Sequence, residues 1–378
     1  MVLKSGLLIS FLLIFQSLFS QQITFQSLID GDILNTGSVF CVLQDRSGFM
    51  WFGTEYGLYR YDGHNFRIYR NDPDKSNSLS DNTIWSLFED SHGFLWIGTA
   101  NGGLNRLDPY RDEFIQWTAA EVLNPVGPGL SDNSITAITE DPSGVIWVGT
   151  YKGGLNRFDP KTQQFFHWFR DEESLHTLPA FYVTSLLADQ QDRLWIGCYE
   201  GLFSLNRSEH PEKFQKWNHY LPDTNDPRHN VVWTLYETPS DSGRGFWLGT
   251  FFGLQFFNRK NADFHQFLPA AVENNPFSNS ISSISEQVNN GERIFWVGSY
   301  GGLLSFNPAT GSFKRWQHQP GDPGSLLSNR IIDNYIDRSG VLWIATNSGL
   351  NYIVPHLEKF KIWSSGTTER KEPLLDVT

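Results

Sequence analysis

Seven copies of a Trp-x-(Gly/Ala)-(Thr/Ser/Cys) tetrapeptide, and strand-length runs punctuated by Asp and Gly turns, predict an all-β fold: a seven-bladed β-propeller of four-stranded antiparallel blades. The copies begin at Trp51, Trp96, Trp147, Trp195, Trp247, Trp296 and Trp343, with spacings of 45, 51, 48, 52, 49 and 47 residues. A period of that length built from strand-like pieces means blades rather than an α-solenoid.

The first residues come before the repeat. Lys4 is followed by an apolar run from Gly6 to Phe15, and Ser20 precedes Gln21 and Gln22. The run is short for a spanning helix and soon turns polar, so residues 1–20 read as a secretory signal peptide and predict a periplasmic protein.

Within the repeat each unit divides alike. In the second, Ile84 to Asp90 forms strand A, Ser91-His-Gly a turn, Phe94 to Thr99 strand B, Gly103 to Asp108 strand C, and Phe114 to Trp117 strand D. The A–B turns Asp45-Arg-Ser-Gly48, Asp90-Ser-His-Gly93, Asp141-Pro-Ser-Gly144 and Asp337-Arg-Ser-Gly340 place Asp where it can cap a turn and Gly where φ is positive. The third residue of strand A is small in six blades: Cys41, Ser86, Ala137, Ser185, Thr234 and Ser283. That is what crowding near a propeller axis demands. Asp333 holds the seventh position, as a channel-facing or functional charge.

The seven tryptophans of the tetrapeptide are expected to pack between blades. So are Trp117, Trp168, Trp217, Trp316 and Trp363 at the ends of the D strands, where Tyr69 and Phe267 stand in the remaining blades. Only Trp85 and Trp233, both second in strand A, escape this scheme. Ile23 to Leu28 alternates like a strand that could close the ring beside blade 7. Phe360 to Trp363 competes for the same place, so closure stays open. The propeller is expected over 21–363, with a polar tail at 364–378.

Composition narrows the partners. A formal net charge of −12 without long like-charge runs offers no footprint for nucleic acid or an anionic membrane. Cys41 and Cys198 lie in blades on opposite sides of the ring, so neither a disulfide between them nor a metal cluster is expected.

The Asp-x-x-Gly turn, the tetrapeptide, and Gly-Leu-Asn-Arg-(Leu/Phe)-Asp at 103–108 and 154–159 together resemble the two-component regulator propeller repeat. Segments 78–82 and 129–133, each ending Leu-Ser-Asp-Asn, fit the same pattern. The resemblance implies the periplasmic sensor of a hybrid histidine kinase, which detects an extracytoplasmic ligand, often an oligosaccharide. Its partners would be that ligand and a histidine kinase module in cis or in trans, and a homodimer is compatible with it. A protein-interaction scaffold, or a propeller lyase, is the alternative.

Propellers bind ligands at the face of the B–C and D–A loops. There the sequence carries an uneven set, Tyr56, Tyr151, Lys152, Tyr199, Glu200, Phe252 and Tyr300, with Tyr182 and Trp233 from the D–A side. Aromatic faces beside charges suit sugar recognition. Arg106 and Arg157 are expected to pair with acidic neighbours. No His-Glu-x-x-His pair or Gly-x-Ser-x-Gly elbow occurs, so no catalytic residue, metal or cofactor is expected. Glu89-Asp90 and Glu140-Asp141 recur at turn entries and read as structural.

Overall fold

The computed structural model describes residues 23–354 apart from 29–36, 120–125, 169–177, 179, 209–212, 220–225 and 290. The segments expected to be a signal peptide (1–20) and a polar tail (364–378) fall outside the described residues.

Seven antiparallel sheets form seven blades. Blade 1 runs Val39–Gln44, Met50–Thr54, Gly57–Tyr61 and Phe66–Tyr69 as strands A to D. The A strands of blades 2 to 7 are Ile84–Glu89, Ile135–Glu140, Val183–Ala188, Val232–Tyr236, Ile281–Asn289 and Ile331–Ile336. Each packs on its neighbours, and strand A of blade 7 meets that of blade 1, so the ring closes around an axis.

The tetrapeptide has a separate physical reason at each position. The tryptophan indole N–H donates to the carboxylate six residues earlier: Trp51 to Asp45, Trp96 to Asp90, Trp147 to Asp141 and Trp195 to Asp189 at 2.8 Å, Trp343 to Asp337 at 2.9 Å and Trp247 to Asp241 at 3.0 Å. The same carboxylate caps the A–B turn, as where Asp90 accepts the backbone N–H of His92 and Phe94. Blade 6 has a longer hairpin, and Gln287 replaces the Asp as acceptor for Trp296. The ring faces stack on the aromatic that ends strand D, as in Trp96 on Trp117 at 5.4 Å and Trp147 on Trp168 at 5.6 Å.

The glycine answers to a close approach. A Cβ on Gly98 would lie 2.2 Å from Ser86 Oγ and 2.7 Å from Ile135 of the next blade. The small third residue of strand A and this glycine face each other in register across a bulge in every blade. In blade 7 the pair becomes Asp333 and Ala345. Lastly, the Thr or Ser hydroxyl donates to the glycine carbonyl closing the B–C loop, at 2.8 Å for Thr99 to Gly103. Cys198 alone breaks that rule, and both cysteines are buried and free.

The seam between blades 7 and 1 settles the closure. Gln26 and Ser27 pair antiparallel with Tyr352 and Asn351, so the N-terminal segment supplies strand D of blade 7. That corrects the competing assignment of Phe360 to Trp363 to this strand. Those residues, Trp363 included, lie outside the described residues, and continuing the register sets Leu28 where the other blades put their terminal aromatic. Leu28 packs on the core shared by Trp343 and Phe52, while Phe25 is buried among Trp296, Leu326 and Ile331. Across the inner seam Asp333 accepts the backbone N–H of Val42 at 2.9 Å and that of Asn334 at 2.8 Å. Asp333 keeps partial exposure, yet enough protein surrounds its carboxyl that burial pushes its pKa up to about 6.

Candidate ligand-binding face

One hydrogen bond repeats in all seven blades and builds the upper face. The residue after the tetrapeptide donates its N–H to the carbonyl just before strand A: Glu55 to Ser38, Ala100 to Thr83, Tyr151 to Ser134, Tyr199 to Tyr182, Phe251 to Val231, Tyr300 to Ser280 and Asn347 to Arg330. The B–C loop is thereby stapled to the D–A segment. Asp132 adds a second staple by accepting the Lys152 N–H at 2.8 Å, as Asp81 does for Asn101. A third runs from strand C, where Asn156 accepts the Ser131 N–H and donates to the Ser131 hydroxyl.

On this frame the variable side chains meet. Trp85 touches Tyr151 with ring centroids 6.1 Å apart, Tyr151 touches Tyr182 at 4.8 Å, and Tyr182 touches Tyr199 at 5.0 Å. Tyr199 then meets Trp233 edge-on at 5.2 Å, and Trp233 reaches Tyr300 at 6.3 Å. Six rings thus form a continuous arc from blade 2 to blade 6. Their origin is regular: Tyr151, Tyr199 and Tyr300 occupy the first B–C loop position, while Trp85 and Trp233 occupy the second position of strand A.

The phenols converge. Burial first, and then the neighbouring Tyr151, Tyr300, Tyr182 and Glu200, raise the pKa of Tyr199. The indole Nε1 of Trp233 is buried without a hydrogen-bond partner, as is Oε2 of Glu200, the residue that follows Tyr199. Cations lie over two of its tyrosine rings, Lys152 at 5.8 Å from the Tyr151 centroid and Arg330 at 4.8 Å from that of Tyr300.

Of the residues singled out from sequence, Tyr151, Tyr182, Tyr199, Trp233 and Tyr300 come together, with Lys152 and Glu200 beside them. Tyr56 and Phe252 share no ring contact with the arc among the described residues. Tyr56 is 48% exposed, and Phe252 stacks on His229 at 3.9 Å under Arg228. Both hold the second loop position, one step out of register with the phenols. Arg330 was not foreseen; its signal is a cation placed immediately before a strand A. Among the described residues neither Arg106 nor Arg157 forms a close ion pair, and they lie over Phe94 at 4.4 Å and Phe166 at 5.1 Å. The Asp159 carboxyl, held below its ordinary pKa first by the Lys161 N–H, also feels the Arg157 charge, so the expected acidic pairing survives there as a longer-range interaction.

The opposite face holds two cavities near the A–B turns. One of about 410 Å³ is lined by Asp141, Trp147, Arg157, Asp192 and Arg207, and another of about 460 Å³ by Trp247, Phe256, Asn258, Asp263 and His265. Among the described residues no three His, Cys, Asp or Glu side chains group as metal ligands, and no helix is long and apolar enough to cross a membrane.

The family model described as the two component regulator propeller matches residues 33–56, 78–101 and 129–152. Three of the blade repeats are thus similar to the two-component regulator propeller repeat. Each match ends in the B–C loop, at Tyr56, Asn101 and Lys152, and so takes in the tetrapeptide and its staple. A stretch of 76 residues is 42% identical to Histidine kinase P4 of Formosa agariphila, covering 20% of this chain and 6% of that protein. Among solved structures, the extracellular domain of a putative hybrid two component system from B. thetaiotaomicron superposes with a TM-score of 0.71 at 23% identity, covering 88% of this chain and 42% of that one. A virginiamycin B lyase from Staphylococcus aureus shares the fold at TM-score 0.64 and 12% identity, covering 88% and 99%. The chain thus spans a small part of the kinase relative and about two-fifths of the extracellular domain.

Proposed function

We propose that this propeller is the ligand-sensing domain of a two-component system and signals to a histidine kinase module, in cis or in trans. The observation that carries the reading is the aromatic arc from Trp85 to Tyr300, placed on the stapled loop face. Tilted and edge-on rings offer the apolar surfaces that sugar C–H faces bury against, while polar groups of the same loops supply direction. An oligosaccharide in the periplasm is therefore the ligand proposed. The signal peptide over 1–20 and the propeller over 21–363 belong to the same reading. Residues Tyr151, Tyr182, Tyr199, Trp233 and Tyr300 would contact the sugar, with Lys152 and Glu200 at its polar groups and Tyr56 and Phe252 at the margin. No catalytic step is assigned.

Calorimetry against a glycan panel tests it. The expected result is binding of one oligosaccharide class with Kd between micromolar and millimolar and no turnover. Degradation of the polysaccharide by the pure protein would replace this reading with an enzyme. Recovery of a protein partner with no glycan binding would replace it with a scaffold.

A further inference from the structure

The two cavities near the A–B turns occupy equivalent places on the ring, each between the tryptophan row of one blade and the end of strand C in the next. Their chemistry differs at two matched positions. In strand C, Arg157 pairs with Trp147 in blade 3, whereas Phe256 pairs with Trp247 in blade 5. Just past strand C of the following blade, Arg207 lines the first cavity and Pro308 the second. Blades 1 and 2 also carry the strand-C arginine, with Arg60 over Trp51 at 5.7 Å and Arg106 over Trp96 at 5.8 Å. The cavity between blades 5 and 6 therefore presents two apolar surfaces where its counterpart presents two cations.

Strand register sets out its walls. Trp247, Phe256 and His265 form one cross-strand row, and Asn258 and Asp263 pair two residues further along the same sheet face. Phe267 completes the aromatic side: its ring centroid is 5.8 Å from that of Trp247, and Phe256 is 4.9 Å from the same indole. Phe256 and Phe267 are only partly buried, and His265, Asn261 and Asp263 are exposed. The polar side is largely unspent. Asn261 and His265 make no side-chain hydrogen bond among the described residues, and Asn258 uses its carbonyl on the Lys260 N–H and keeps its amide donors. Asp241 is already engaged, by Trp247 at 3.0 Å and Arg293 at 2.6 Å. Asp263 and Arg244 then bring opposite charges to the lining, so it favours neither ion.

We propose that this pocket is a second binding site, separate from the aromatic arc, and that it takes an uncharged saccharide. Its volume of about 460 Å³ lies within the range of small-molecule sites. The C–H face of a sugar would lie against Phe256 and Phe267, and its hydroxyls would meet His265, Asn258, Asn261 and Asp263, which together donate and accept.

Calorimetry on the whole chain tests it with neutral oligomers of glucose, mannose and xylose, and with an oligogalacturonate and a glucosamine oligomer as charged comparators. The expected result is a neutral oligomer whose affinity falls at least about tenfold in Phe256→Arg, which installs the arginine of blades 1 to 3, and in His265→Ala. Thermal melts check that both variants fold, and His265→Ala, at an exposed position, decides the matter if Phe256→Arg does not. Affinity that is unchanged in the pocket variants overturns the site. Binding lost in Tyr199→Ala but kept in those variants belongs to the arc, which overturns this site and leaves the sensing proposal standing. A charged oligomer held more tightly than the neutral ones, and lost in the pocket variants, overturns the uncharged class. Binding of no oligomer overturns both proposals.

Discussion

The two faces of this propeller are built from the same repeat, yet they vary in opposite ways. On the A–B face one arrangement recurs, with an Asp capping the turn and accepting the tryptophan N–H six residues on. Adjacent blades are latched there: Glu89 accepts from the Arg46 N–H and guanidinium, and Glu140 from the Ser91 N–H and hydroxyl. On the B–C face the backbone staple recurs just as faithfully, while the side chains mounted on it change from blade to blade. One face therefore spends its side chains on cohesion, and the other leaves them free for recognition.

Breaking the first face should cost stability, and breaking the second should cost binding. The largest stability effect is expected from Asp90→Ala, which orphans the buried Trp96 N–H and uncaps two turn amides, a loss of about 3 kcal/mol. Urea unfolding checks it, and ligand affinity measured on the folded fraction should be unchanged. Gly98→Ala comes next at about 2 kcal/mol, because the added methyl has no room between Ser86 and Ile135. The same unfolding curve reads it.

The seam between blades 7 and 1 sharpens the comparison through pH. Asp333 has a native pKa of about 6 against 3.8 for the exposed group. The native state therefore binds more protons than the unfolded chain between these values. Its contribution is fully present below pH 3.8 and is lost as pH rises through 6. We expect Asp333→Asn to flatten the stability profile between pH 4 and 6.5 by on the order of 1–2 kcal/mol, discounted for the group's partial exposure. Denaturant midpoints across that range would show no difference in slope if the idea is wrong.

The smallest stability effect belongs to the arc. Tyr199→Ala should leave the unfolding midpoint within about 1 kcal/mol of the parent, since half-exposed positions cost little. Ligand affinity should fall at least tenfold in the same protein. A variant that loses stability but not affinity would show that Tyr199 seals the blade instead of serving the ligand.

Much of this was legible along the chain because propeller blades are local: each Trp, Asp and Gly acts within one hairpin or on the next blade. Blade number, strand order, turn chemistry and the inter-blade role of the tryptophans all follow from spacing. The closing strand did not, since Ile23–Leu28 and Phe360–Trp363 both alternate as strands. Only the pairing of Gln26 with Tyr352 chooses between them. The site was legible as a list of residues and not as a surface. Loop composition marked Tyr151 and Tyr56 alike, but a one-residue difference in register turns the first into the arc and the second to solvent.

What the linear order of residues determined, then, is every feature that repeats, because repetition multiplies a weak local preference seven times. What the tertiary structure decided is everything that happens once: the ring seam with Asp333 facing Val42, and the meeting of rings from five blades. These depend on distances between segments far apart in sequence, which no local propensity encodes.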